Sequence, residues 1–114
     1  MSIRKIYCAG AFTAPSEAEV RANIEAAKAV GLLVREAGFI PFVPHLAIVP
    51  SQSLTWDKAM EECLAYLSDC HGVLMFGDWH RSKGALAELH FADAHGIPVF
   101  FSLAELVAGL EARP

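Results

Sequence analysis

The chemistry available to this chain is concentrated in one stretch, Gly77-Asp-Trp-His-Arg-Ser-Lys-Gly-Ala-Leu-Ala-Glu88. An apolar run at residues 73–76 gives way there to a polar loop, and a helical pattern opens near Ser82. On that helix Ala85, Glu88, Leu89 and Ala92 share one face, while Leu86, His90 and Asp93 point elsewhere. Glu88 therefore interrupts the apolar seam of its own helix. A carboxylate withdrawn from water needs a partner or a task, which makes Glu88 a catalytic candidate. A buried structural carboxylate paired with Tyr7 or an arginine is the alternative. Ser82 is a favoured helix N-cap, and beside the Gly84 amide its hydroxyl is also placed to hold an anion. Arg81 and Lys83 either steer an anion to that end of the helix or simply solvate the loop.

The surrounding pattern must position these groups. Residues 97–101 read as a buried strand, so 72–101 form a β-loop-α-β unit, whose ligand site lies beyond the carboxyl ends of its strands. Residues 3–10 read as a first strand running into the turn at residues 9–13. Ser16, with Glu19 three positions on, marks the start of a helix in a capping-box pattern. Val20, Ile24, Ala27, Gly31 and Val34 recur at helical spacing, and Gly38 ends the run. Residues 39–43 form a second strand closed by Pro44-His45, and residues 46–55 are the longest loop, of the kind that serves as a lid or binding segment. Trp56, Met60, Cys63, Leu64 and Leu67 trace a second amphipathic helix, and residues 103–110 a short final one. Strands alternating with helices imply a parallel sheet covered on both faces. The expected fold is α/β, a flavodoxin-like or Rossmann-like three-layer sandwich of four strands (five at most) in the order 2-1-3-4, with residues 1–114 forming a single domain. Winding reverses between strands 1 and 3, so the crevice there should collect the Gly10 turn and the loop at residues 78–84.

Composition narrows the partners. With 54% hydrophobic and 19% charged residues in 114, the chain has material for one well-buried sheet and for apolar surface buried in an oligomer. A net charge of −4 offers no footprint for nucleic acid, and no apolar run is long enough for a membrane span. Met-Ser-Ile-Arg-Lys leads directly into the first strand without a signal peptide, and Cys8, Cys63 and Cys70 make an odd set without a CxxC pair. A cytoplasmic protein with reduced thiols is the expectation. The five histidines form no metal-ligand spacing, so neither a metal nor a cofactor is expected.

Tyr7-Cys-Ala-Gly-Ala-Phe-Thr13, followed by Asn23, resembles the opening of the nucleoside 2-deoxyribosyltransferase superfamily. Residues 77–88 resemble its nucleophile loop and helix, and Phe39-Ile-Pro-Phe-Val-Pro-His-Leu46 resembles the second strand of its small bacterial and phage relatives. That superfamily includes nucleoside deoxyribosyltransferases and N-glycosidases that hydrolyse nucleoside 5′-monophosphates. The resemblance implies that Glu88 attacks the anomeric carbon and forms a covalent glycosyl ester, and that Tyr7 orients it. It implies substrate contacts from Gly10, Ala11, Phe12, Asp78, Trp79, Ser82 and Gly84. Ser82 matches a position held by serine in the monophosphate hydrolases and by aspartate in transferases acting on free nucleosides. Shared active sites in the superfamily imply at least a homodimer. The partner implied is a nucleoside or nucleotide.

Trp79 can stack on a base, pack over the sheet end or sit at a subunit interface. Cys63 is a departure: it stands where relatives carry an aspartate thought to assist the leaving base, and on an apolar stripe its default reading is a core residue. A nucleotide-binding or sensing module without turnover is therefore the alternative to an enzyme.

Overall fold

The computed structural model describes residues 4–111, so Ile3, the expected start of the first strand, lies outside the described residues. Four strands, β1 (Lys5–Ala9), β2 (Ile40–Phe42), β3 (Gly72–Met75) and β4 (Val99–Phe100), form a wholly parallel sheet in the order 2-1-3-4. The expected strand order and α/β class are observed.

The two-residue alternation of the central strands sorts the core into two halves. Tyr7, Ala9, Val73 and Met75 face α3 (Trp56–Leu67) and α4 (Lys83–Ala94), meeting Cys63, Leu67, Ala85 and Ala92. Ile6, Cys8 and Leu74 face the opposite way, toward α1 (Glu17–Glu36) and α5 (Leu103–Glu111), meeting Val34, Leu106 and Leu110. The result is three layers with helices on both faces, the arrangement that near-continuous apolar strands require.

Local signals fix the ends of the helices. Ser16 accepts from the Glu19 amide at 3.2 Å and caps α1, while the Glu19 carboxylate takes the Ser16 hydroxyl at 3.3 Å. Thr55 and Ser82 cap α3 and α4 in the same way.

Two segments differ from expectation. Pro44–Ala47 is a single helical turn, α2, because Pro44 at its first position pre-sets the backbone for a turn. The expected buried strand at 97–101 shortens to Val99–Phe100 and is half-buried at the sheet edge. Pro98 has no N–H to give and only accepts, from Val73 at 2.9 Å. Ser102 then draws the chain into α5 by accepting from the Glu105 amide. Phe101, 48% exposed, is left outside the strand.

Candidate active site

Glu88 lies on the sheet-facing side of α4, between Ala85 and Ala92, and is 5% exposed. Its Oε2 accepts a hydrogen bond from the hydroxyl of Tyr7, a fully buried residue of the central strand β1. Burial pushes the Glu88 carboxyl up to about 7, against the Tyr7 hydrogen bond, which pulls it down. Burial and then the charge of Glu88 push the Tyr7 phenol upward, so Tyr7 remains a donor. The Cys63 thiol of α3 acts on the same pair: burial raises it first, the Tyr7 hydrogen bond opposes that rise and the Glu88 charge adds to it. Cys63 is therefore a protonated thiol at neutral pH, buried among the site residues.

The plane of Tyr7 is set by neighbours that sequence reading did not identify. Tyr7 pairs in register with Phe42 of β2 and stacks on it at 5.6 Å, and Phe42 stacks in turn on Tyr66 of α3 at 4.5 Å. Parallel register places Tyr7 and Phe42 side by side on one sheet face, which no local pattern discloses.

Above this pair lie the two loops expected at the switch between strands 1 and 3. β1 leads into Gly10, Ala11 and Phe12, and β3 leads through Phe76 to Gly77, whose φ of +61° is a turn conformation that suits glycine. A Cβ on Gly10 would lie 2.4 Å from the Phe76 ring, so within this chain the glycine is required by an aromatic side chain lying across it. Asp78 is exposed, and its carbonyl starts the single 3₁₀ turn Trp79–Arg81 by accepting from the Arg81 amide at 3.0 Å. Trp79 is half-buried and lies 5.4 Å from the Phe101 ring, so it packs over the end of β4. Ser82 accepts from the Ala85 amide at 3.1 Å. Gly84 differs from Gly10, since a Cβ there would make only ordinary contacts, with Met60 Sδ at 3.5 Å and Ser82 Oγ at 3.9 Å. Lys83 sits 4.3 Å from the Trp56 ring, which ties the starts of α3 and α4 together. Arg81 is exposed.

His45 belongs to this end of the sheet although sequence reasoning gave it no role. Its Nε2 lies 2.9 Å from the Ala11 carbonyl, and its ring packs against Phe12 at 5.6 Å and Phe76 at 5.8 Å. The signal that could have found it is its place just after the carboxyl end of a parallel strand, where ligand sites gather. Asn23 of α1 holds the next carbonyl, Phe12 O, at 3.1 Å.

Two surface grooves, of about 410 and 380 Å³, flank α1; one is lined by residues 14–17, Val20 and Arg21, the other by α1, β2 and α2, and neither is lined by Glu88. Among the described residues, no three His, Cys, Asp or Glu side chains are grouped so as to hold a metal ion. No helix among them is long and apolar enough to cross a membrane.

The family model described as a domain of unknown function (DUF4406) matches residues 4–101. A solved 2-deoxyribosyltransferase from the psychrotolerant bacterium Bacillus psychrosaccharolyticus superposes with a TM-score of 0.63. It is 22% identical over 83% of this chain and 69% of that one, a likeness that shows the shared fold. No curated protein matches the chain in sequence.

Proposed function

The chain belongs to the DUF4406 family, a family of the nucleoside 2-deoxyribosyltransferase superfamily, and on that premise we propose that it cleaves or transfers the N-glycosidic bond of a nucleoside or nucleoside 5′-monophosphate. The observation that carries this reading is the Tyr7–Glu88 pair, buried beneath the carboxyl ends of β1 and β3.

In the proposed reaction a Glu88 oxygen attacks the anomeric carbon as the bond to the base breaks. The electron pair of that bond leaves with the base, and a glycosyl ester forms on Glu88. Water or a second base then attacks the same carbon and frees the carboxylate, with overall retention, and the proton given up by the attacking group balances the one taken up by the departed base. The oxocarbenium-like transition state needs an anion close to the sugar, and a carboxylate in a low-dielectric site stabilises it more than one in water. Tyr7 holds one oxygen by its donated proton and leaves the other for attack. Since Glu88 is 5% exposed, the loops around it must part to admit a sugar.

Ser82 and Gly84 fit the 5′ end of the substrate. The Ser82 oxygen accepts from the Ala85 amide, which leaves its O–H able to donate outward. Gly84 has no steric reason within the chain to lack a side chain, and its bare backbone suits a phosphate approaching the start of α4. Trp79, packed on Phe101, borders the place of the base, with Asp78, Ala11 and Phe12. The proposed setting is the cytoplasm, where Cys8, Cys63 and Cys70 stay reduced, and the proposed assembly is a homodimer or a higher homo-oligomer.

Cys63 favours a second reading, a nucleotide-binding module of the same fold without turnover. A thiol pushed upward by burial is a poor general acid for the leaving base. Chromatographic assay of base release across ribo- and deoxyribonucleosides and their 5′-monophosphates tests both. Release abolished by Glu88→Ala supports the enzyme. Thermal stabilisation by a nucleotide without release supports the binding module, and neither response leaves Glu88 as a structural carboxylate.

A further inference from the structure

We infer that His45 is a positioning residue for the substrate site: its Nε2–H, reaching from the turn α2 that follows β2, holds the Ala11 carbonyl and so fixes the β1–α1 loop in its binding shape. The loop's role in binding rests on the glycosidic reading above; the clamp itself does not.

The tautomer follows from chemistry. A carbonyl oxygen only accepts, so the Nε2 that lies 2.9 Å from Ala11 O carries the proton. Nδ1 is then the bare nitrogen. It is buried and has no hydrogen-bond partner among the described residues. A buried acceptor without a donor is unfavourable, and the Phe12 and Phe76 rings that flank the imidazole offer it ring packing and no hydrogen-bond donor. The imidazole at this position is therefore not explained by packing, and the bond from its other nitrogen is what distinguishes it from phenylalanine. Burial also lowers the imidazole below its usual range, against the pull of the Ala11 and Gly10 carbonyls, which keeps the ring neutral.

The loop needs such a tie because it lacks regular structure. Residues 10–14 belong to no helix or strand, yet they connect β1 to α1 directly above Tyr7. Phe76 presses on Gly10 from just beyond β3, His45 takes Ala11 O from α2, and Asn23 takes Phe12 O from α1. Three elements thus hold three successive residues, and His45 supplies the central tie. Without it the Ala11 carbonyl is free to rotate, and substrate must order the loop as it binds.

Two variants separate the hydrogen bond from the packing. His45→Phe keeps a flat ring and removes the donor, while His45→Gln keeps an N–H at nearly the same reach. Backbone ¹⁵N order parameters at Ala11 and Phe12 should fall in His45→Phe and recover in His45→Gln. KM for a nucleoside 5′-monophosphate should rise roughly three- to tenfold in His45→Phe with kcat little changed, and recover in His45→Gln. Unchanged loop order in a folded His45→Phe protein overturns the proposal, as does an unchanged KM. If the wild-type chain turns over no substrate, the glycosidic reading fails, while the order parameters still decide whether His45 holds the loop. Should His45→Phe not fold, the imidazole ¹⁵N spectrum of the wild-type chain decides: a protonated Nε2 with bare Nδ1 supports the clamp, and the opposite tautomer overturns it.

Discussion

Tyr7 and Glu88 stand 81 positions apart in sequence and share a buried hydrogen bond, made from the central strand to a helix that packs on it. Each residue alone has an ordinary explanation, an aromatic in a strand and a carboxylate on a helix. Together they form a donor–acceptor pair whose acceptor ionises near neutrality.

Stability should therefore depend on pH through Glu88. Its carboxyl rises from 4.5 to about 7 in the folded chain, so the folded state binds the proton more tightly than the unfolded one. The resulting stabilisation is complete below about 4.5 and is lost as pH rises through about 7. The shift corresponds to roughly 3 kcal/mol. Glu88→Gln removes this dependence, so urea unfolding should show Gln more stable than wild type at pH 8.5 and similar to it at pH 5. Equal stability of the two proteins at pH 8.5 would contradict a raised carboxyl.

The same ionisation should govern turnover in the opposite sense. Only the carboxylate attacks, so kcat/KM should rise with pH through a midpoint of about 7 and level off above it. In Tyr7→Phe the hydrogen bond that lowers Glu88 is gone, so the midpoint moves upward. Loss of a hydrogen bond to a charged group should slow the reaction roughly 10- to 100-fold. A pH–rate profile of the two proteins checks both expectations, and identical midpoints would detach Tyr7 from the chemistry.

Gly10→Ala puts a methyl group 2.4 Å from the Phe76 ring. The ring must swing away, at a cost of roughly 1–3 kcal/mol. Pairing the change with Phe76→Leu should recover much of that loss in thermal unfolding, because the interfering atoms are gone. If the double variant is no better than the single, the strain lies in the backbone.

Ser82 offers a test that separates capping from recognition. Ser82→Ala removes the acceptor for the Ala85 amide and should destabilise the chain by about 1 kcal/mol. Ser82→Asp keeps a capping oxygen, so its Tm should stay close to wild type. Its added charge should nonetheless weaken nucleoside monophosphates and spare free nucleosides. Calorimetric titration with both ligands checks this, and equal weakening of the two would remove Ser82 from the 5′ site.

Much of the frame is legible in the one-dimensional pattern. Alternation of apolar strands with helical spacing gives the layers and, with right-handed crossovers, the order 2-1-3-4. Ser16 and Ser82 announce helix starts because capping is a bond within three residues. The wheel of α4 likewise foretells that Ala85, Glu88 and Ala92 are buried together.

The resemblance already implies that Tyr7 meets Glu88, but tertiary structure decided how that contact is made and what the other groups touch. Register across β1 and β2 stacks Tyr7 on Phe42, and the packing of α4 on the sheet delivers Glu88 to the Tyr7 hydroxyl. The crossover from β1 to β2 brings His45 to Ala11, and the end of β3 lays Phe76 across Gly10. The physical reason is one of range. Periodicity and capping record sterics and water exposure over a turn or two of chain, whereas these partners meet only after the crossovers have closed the sheet, at separations where local spacing carries no information.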